Sequence, residues 1–338
     1  MTIREIARKL GVSPATVSFV LNDRPGVGAQ RRQMIQNALL ENGYEIKRSE
    51  KKIASPKQIC IVKFRATHKN DEFSIVVLDA IEEYANQAGY TVSLLNIDQN
   101  TYEQKISAMD LSALQGIVFF ASDMQEDCLN YTIRLPLPTV YVDAFFSDKS
   151  VNTINVDQRL IAYWAADHLF RLGHKKVGYL RCLPTRNELS HRFFHFKTAA
   201  ERHGMRLMPD FIFDIDNMPD RIEQALQAAL SNVKVFPTAI FAESDIIAAK
   251  CIHLLTMMGK KVPEDISVIG IDNTTVASMA SPPLTVIDVN ARELGHMAFE
   301  RLEQLIRNPE RPVVHSYIEP FLVRRSSTGI CRHDAQEE

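Results

Sequence analysis

At the start of the chain, apolar side chains recur at helical spacing in short blocks. Ile6, Ala7 and Leu10 share one face of a segment that begins near Ile3, and Val17, Val20 and Leu21 share one face of a second. Thr2 and Glu5 have the spacing of a capping box, and Ser13 followed by Pro14 reads as an N-cap with proline at the first helical position. Gly11 falls between the two segments, where a sharp helix-to-helix turn needs a permissive backbone. A third helical pattern ends at Leu39. Residues 1–45 are thus predicted to form three short helices in a helix-turn-helix layout, which places a nucleic-acid partner ahead of any enzymatic reading.

From Lys57 onward the pattern changes. Strand-like apolar runs at 59–64, 91–97, 116–120, 138–142, 151–156, 176–180, 210–214, 239–241 and 267–271 alternate with amphipathic stretches at 75–88, 102–109, 161–172, 194–203, 220–230 and 245–258. Such alternation implies doubly wound parallel sheets. There are too many strands for one sheet of usual size, so the body is expected to divide into two α/β subdomains.

Charge supports this division. Residues 1–58 hold 11 Lys/Arg and 5 Asp/Glu, a net of +6, so the rest of a chain whose total is −2 carries −8. A basic head on an acidic body is the footprint of a DNA tether joined to a domain with another task. Five scattered cysteines with no CxxC pair argue against a zinc site and suit reduced thiols. No N-terminal apolar run suggests a signal peptide, and none is long enough to span a bilayer, so a cytoplasmic location is expected.

The candidate chemistry of the head lies at the start and outer face of the second helix. Ser13, Pro14, Ala15, Thr16, Ser18, Phe19 and Asn22 are left there once the apolar face is turned inward. Thr16, Ser18 and Asn22 can hydrogen-bond phosphates or base edges, while Ala15 and Phe19 offer apolar contact to thymine methyls. Pro14, Ala15 and Phe19 have little hydrogen-bonding capacity, so readout is expected to lean on apolar contact and shape.

This stretch resembles the DNA-binding head of the LacI/GalR family of bacterial transcription regulators. The residues that carry the resemblance are Ile6-Ala7, Gly11-Val12-Ser13, Thr16-Val17-Ser18, Val20-Leu21-Asn22, Val27, Arg31-Arg32 and Asn42-Gly43-Tyr44. It adds Arg31 and Arg32 to the expected DNA contacts. The segment that follows is a poorer match, with Ile46 where proline is common, Lys47 for asparagine and Glu50 for a small residue. If it forms the family's hinge helix, Ile53 is the wedge for the minor groove and Lys47, Arg48, Lys51 and Lys52 hold phosphates. The alternative is a charged, solvated linker.

The body is similar to the type I periplasmic-binding-protein-like effector domain of the same family. Gly89-Tyr90, Pro138-Thr139-Val140, Leu172-Gly173-His174, the run 263–270 and Pro283-Leu284-Thr285 carry that likeness. The resemblance implies crossings between subdomains near 156–157, 287–290 and 318–321. The expected organisation is therefore a helix-turn-helix domain at 1–45, a hinge at 46–57, an N-subdomain of 58–157 plus 290–318, a C-subdomain of 158–289 plus 319–330, and a tail at 331–338.

In bilobal folds of this kind a small ligand sits at the carboxyl ends of the strands. Asp272, Arg192 and Asp157 match the family's ligand-contact positions. An arginine and an aspartate converging on a cleft hold neighbouring hydroxyls of a sugar, one donating and one accepting. Arg186 lies one loop position further out, and Phe73 offers a ring for stacking on a sugar or a base. Two departures alter the pocket: Ser244 replaces the usual asparagine before Asp245, and His195 replaces glycine.

The expected function is a ligand-responsive regulator, most simply a repressor, with operator DNA, a sugar-like effector and a second copy of the chain as partners. A transport-type sugar-binding protein is the alternative that the body alone permits. An α/β enzyme is disfavoured. No GxGxxG, P-loop or GxSxG is present, and 65–70, after the first strand, contains no glycine. His68, His174 and His191 are not spaced for metal or nucleophilic chemistry, and His174 reads as a structural turn residue. No cofactor is expected.

Overall fold

The computed structural model describes the chain except for residues 23, 25, 45–56, 65–71, 123, 145, 147–148, 184–186, 217, 219 and 333–338 and the side chains of 29 and 187–190. Lys47, Arg48, Ile53 and Arg186, together with the remaining linker positions and His68, lie outside the described residues. The chain divides into two compact units, Met1–Pro56 and Lys57–Glu338.

The first unit contains α1 (Ile3–Lys9), α2 (Pro14–Leu21) and α3 (Ala29–Glu41). Its core is small: Ile6, Ala7, Val17, Val20, Ile35 and Leu39 are buried together, with Leu10 and Leu21 packed against them. Gly11 turns the chain at φ +63, a conformation that a β-carbon disfavours. The Val12 amide then closes onto the Ala7 carbonyl at 3.0 Å.

The second unit holds two six-stranded sheets. One contains β1 (Lys57–Phe64), β2 (Tyr90–Ile97), β3 (Gly116–Phe120), β4 (Thr139–Val142), β5 (Thr153–Val156) and β11 (His315–Ile318), in the order β11-β5-β4-β3-β1-β2. The other contains β6 (Lys176–Leu183), β7 (Arg206–Asp216), β8 (Ala239–Ala242), β9 (Ser267–Ile271), β10 (Thr285–Asp288) and β12 (Phe321–Val323), in the order β12-β10-β9-β8-β6-β7. The two orders are the same pattern repeated. Every pairing is parallel except that of β12, which runs antiparallel to β10 at the edge of the second sheet. The central strands are buried along their whole length and almost entirely apolar, as expected when both faces are covered by helices.

The helices are α4 (Glu72–Gln87), α5 (Tyr102–Ser107), α6 (Glu126–Thr132), α7 (Gln158–Arg171), α8 (Asn187–Arg202), α9 (Ile222–Ser231), α10 (Asp245–Met257), α11 (Thr275–Met279) and α12 (Ala291–Arg307). The chain passes from the first sheet to the second after β5, back after β10, and over again between β11 and β12. The alternation read from the sequence omits α6, α11 and α12. Yet α12 buries Leu294, Gly295, Ala298, Phe299, Leu302 and Leu305 on one stripe. Gly295 lets it lie close against α4, since a β-carbon there would come within 2.4 Å of the Val77 carbonyl oxygen. Among the described residues no helix is long and apolar enough to cross a membrane.

Candidate functional sites

In the head, both capping motifs form. The Glu5 carboxylate accepts from the Thr2 amide at 2.7 Å, and Ser13 Oγ accepts from the Thr16 amide at 3.1 Å. The Thr2 backbone bond holds the Glu5 carboxyl below its ordinary range. With Val17 and Val20 buried, Pro14, Ala15, Phe19 and Asn22 are exposed at the start and along the outer face of α2. The Phe19 side chain, 41% exposed, is an apolar group turned to solvent that no core interaction explains.

The polar residues of that face are less free than their sequence suggests. Ser13 and Thr16 bond each other at 2.8 Å, and Thr16 and Ser18 are half-buried. The Asn22 amide group donates to the Ser18 carbonyl at 2.9 Å, which closes the end of the helix. Of the two arginines, Arg31 is exposed, whereas Arg32 donates to the Arg24 carbonyl and ties down the loop before α3.

In the body, β1 lies between β2 and β3, and β6 between β7 and β8, so each sheet has a topological switch point at which the chain leaves in opposite directions. Loops at the carboxyl ends carry the polar residues. On the second sheet these are Glu243 and Ser244 after β8 and Asp272 after β9. On the first they are Ser122 after β3 and Asp143 after β4, which are hydrogen-bonded to each other. Phe73 is half-buried beside Phe120, with ring centroids 6.1 Å apart, and the amine of Lys63 reaches Ser74 in the first turn of α4.

Arg192 is the connecting residue. Only 8% exposed, it donates through Nε to Gln158 Oε1 at 2.9 Å and through Nη1 to the Glu243 carbonyl at 3.5 Å. It therefore joins the first crossover to the loop that carries Ser244. The Glu243 side chain turns inward, accepting from the Tyr179 hydroxyl at 2.6 Å and the Cys182 amide at 2.8 Å. Burial raises its carboxyl above the usual range even though Arg192 pulls it down.

The acidic group missed in the sequence is Asp245. It is 1% exposed at the start of α10. Its Oδ2 accepts from the Thr274 amide at 2.7 Å and the Thr274 hydroxyl at 3.0 Å, while Oδ1 has no partner among the described residues. Burial, followed by repulsion from Asp272, pushes its carboxyl up to about 8. Asp272 and Asn273 both adopt positive φ, +102 and +60, conformations that persist only where the surroundings enforce them. The signal in the sequence was the acidic Glu243-Ser244-Asp245 run directly after a strand.

Asp157 has a different position from the other two charged residues. It is the N-cap of α7, accepting from the Arg159 and Leu160 amides at 2.9 and 3.3 Å, and it pairs with the Arg159 guanidinium at 2.8 Å. Both of its oxygens are thus engaged. His174 does more than end a turn: it is 3% exposed, and its ring nitrogens meet Thr238 at 3.1 Å, Ser267 at 3.1 Å and the Gly329 carbonyl at 3.2 Å.

Comparison with known proteins bears on both units. Residues 2–45 match the model for bacterial regulatory proteins of the lacI family, and residues 166–328 match that for a periplasmic binding protein-like domain. The chain is 32% identical over 336 residues to the HTH-type transcriptional repressor PurR of Photobacterium profundum, covering 96% of this chain and 98% of that protein. It is 27% identical over 335 residues to the ribose operon repressor of Haemophilus influenzae, covering 96% and 98%. Among solved structures, the lac repressor dimer bound to operator and the anti-inducer ONPF superposes with a TM-score of 0.73 at 23% identity, covering 97% and 99%. A LacI family transcriptional regulator from Enterococcus faecium with bound ribose gives 0.70 at 22%, covering 82% and 100%.

Proposed function

The chain belongs to the LacI family of bacterial regulatory proteins, and from that premise we propose that it is a ligand-responsive repressor that binds a pseudo-palindromic operator as a dimer and responds to a sugar or sugar derivative. The observation that carries this reading is the pairing of opposite chemistries at the strand ends of the second sheet. Arg192 supplies donors there, and Asp272 supplies an acceptor beside the buried, protonated Asp245, which is the alternation that neighbouring hydroxyls require. A structural neighbour with bound ribose and another described as a cellobiose complex support the sugar class.

The DNA-reading surface is the outer face of α2, with Phe19 and Ala15 against base methyls, Pro14 at the groove entrance, and Ser13, Thr16, Ser18, Asn22, Arg31 and Arg32 on phosphates or base edges. Lys47, Arg48 and Ile53 extend it along the linker. In the body, Phe73 stacks on the ligand ring, Arg192 and Asp272 take its hydroxyls, and Ser244 and Arg186 complete the wall; Asp157, committed to the cap of α7 and to Arg159, holds the first crossover and makes no ligand contact. The protein works in the cytoplasm, on chromosomal DNA. A transport role is the weaker reading because it leaves the head without a task.

For the ligand to regulate, it must bind the operator-competent and operator-incompetent states differently, typically by about 5- to 150-fold. A thermal-shift screen of the full chain with sugars, sugar phosphates and nucleobases identifies the ligand, and operator affinity is then measured with and without it. The expected result is a shift of several-fold or more. A ligand that stabilises wild type but not Arg192→Ala, and yet leaves operator affinity unchanged, rules out the ligand-responsive reading.

A further inference from the structure

A cavity lies beside the first crossover. It encloses about 450 Å³ and is lined by three histidines, His191, His195 and His315, together with Arg159. Three separate elements bring these groups together. In β11, His315 stands opposite Thr153 of β5 and Tyr317 opposite Asn155, so their side chains share the sheet face away from the buried Ile154 and Ile318. On α8, His191 and His195 are one turn apart. The crossover contributes Asp157 and Arg159.

We propose that this pocket binds a small phosphomonoester, with its phosphoryl group between His191, His195 and Arg159 and its carbon skeleton against Phe146 and Tyr317. Volumes of this size accommodate a small metabolite. The acidic residue of the pocket, Asp157, is already committed to the amides of α7 and to Arg159 Nε and Nη2. That pairing occupies the planar fork that would otherwise grip a carboxylate side-on. The other donors on the walls are the imidazoles of His191 and His195 on α8 and, on β11, His315 and the Tyr317 hydroxyl; the Thr153 hydroxyl is paired with His315 Nδ1 at 2.9 Å, and the Asn155 amide donates to the Ala144 carbonyl at 2.8 Å. A phosphoryl dianion presents three acceptor oxygens that do not share a plane, whereas the acceptor sites of a carboxylate lie close to one plane.

The local field agrees with the geometry. The titratable and charged groups facing the cavity are Asp157, Arg159, His191, His195, His315 and Tyr317. Burial first, and then His191 and Arg159, hold the His195 imidazole below its ordinary value, with Asp157 opposing. The part of that shift owed to His191 and Arg159 comes from positive charge, and positive charge attracts an anion. Binding the anion reverses the effect, so His195 takes up a proton as the ligand enters.

The site does not depend on the operator reading. Its test uses isothermal titration of the full chain with ribose 5-phosphate and, as the uncharged control, ribose. At pH 7 the phosphate ester is expected to bind at least about ten-fold more tightly, a difference of about 1.4 kcal/mol. Titration in two buffers of different ionisation enthalpy should show net proton uptake. The double variant His191→Ala/His195→Ala should lose the ten-fold advantage, while His253→Ala, at an exposed histidine of α10 outside the cavity lining, keeps it. Equal affinity for the two compounds, an advantage that survives the double variant, or binding of the ester to wild type without proton uptake overturns the proposal. Failure of the cleft ligand to change operator affinity has no bearing on these outcomes.

Discussion

The carboxylate of Glu72 accepts a hydrogen bond of 2.8 Å from the backbone amide of Thr275, although 203 residues separate them in the chain. Glu72 opens α4, whose neighbours are in the first sheet, and Thr275 opens α11, beside Asp272 in the second. Phe73 and Asp272 are therefore held on facing walls by a direct contact between their neighbours in sequence. Hydrogen bonds with one charged partner are worth about 1.5–3 kcal/mol. The Glu72→Ala variant is expected to raise hydrogen exchange at the Thr275 amide by about ten-fold or more, while Glu72→Gln, which keeps an acceptor, restores much of the protection. Unchanged exchange in the alanine variant shows that the contact does not hold the walls together.

Asp245 and His168 make stability depend on pH in opposite senses. Burial, with Arg324 and His174 adding to it, holds the His168 imidazole down to about 4. The unfolded chain thus takes up a proton that the folded chain refuses, and stability falls as pH drops from about 6.5 towards 4. For Asp245 the folded chain keeps a proton up to about 8 that the unfolded chain loses near 3.8, so stability is lost as pH rises through that window. The two oppose each other below about 6.5, and Asp245 acts alone above it. Urea unfolding is expected to show a decline of about 2 kcal/mol between pH 6.5 and 8 in wild type and a flatter profile in Asp245→Asn. Identical slopes in the two proteins would place the proton elsewhere.

Gly295 permits the contact between α12 and α4. Alanine ordinarily favours a helix over glycine by about 1 kcal/mol. Here the added carbon would meet the Val77 carbonyl oxygen at 2.4 Å and the Ala80 side chain at 2.7 Å, and a backbone atom cannot swing aside as a side-chain tip can. Gly295→Ala is expected to destabilise the body by about 1–3 kcal/mol in urea unfolding. A stabilised variant would show that the two helices separate easily.

Phe19→Ala tests the head. Removing a side chain that is 41% exposed is expected to leave thermal stability almost unchanged. Loss of apolar contact in the groove should weaken binding to a selected operator by about ten-fold at fixed salt, by fluorescence anisotropy. Non-specific duplex binding, which depends on phosphates, should change little. Equal loss on both kinds of DNA would remove Phe19 from base readout.

Local chemistry makes some features legible from residue spacing alone. Thr2, Glu5, Gly11, Ser13 and Pro14 act within three or four residues of themselves, so their spacing specifies both caps and the turn of the head. Strand–helix alternation exposes the two-sheet body for the same reason, because a strand buried on both faces must be apolar along its length. Asp272 stands out as a charged residue directly after a strand, whereas Arg192, inside α8, is legible through the family resemblance. The stripe of α12 is just as regular, but it lies beyond the last strand–helix unit of the simple alternation.

What the sequence by itself determined is the set of local elements and the family to which the chain belongs: a capped helix with an apolar outer face in the head, and polar loops at strand ends in the body. Only the tertiary structure decided which charges meet. It placed Asp245 against Asp272, Glu72 against Thr275, and Arg192 between Gln158 and Glu243, and it enclosed Asp157 in a helix cap beside three histidines. The physical reason is range. Helix capping and side-chain periodicity are short-range effects, readable from spacing along the chain. The energy of a buried charge depends on its neighbours in space, and here those neighbours are brought from distant strands by the crossovers between two sheets.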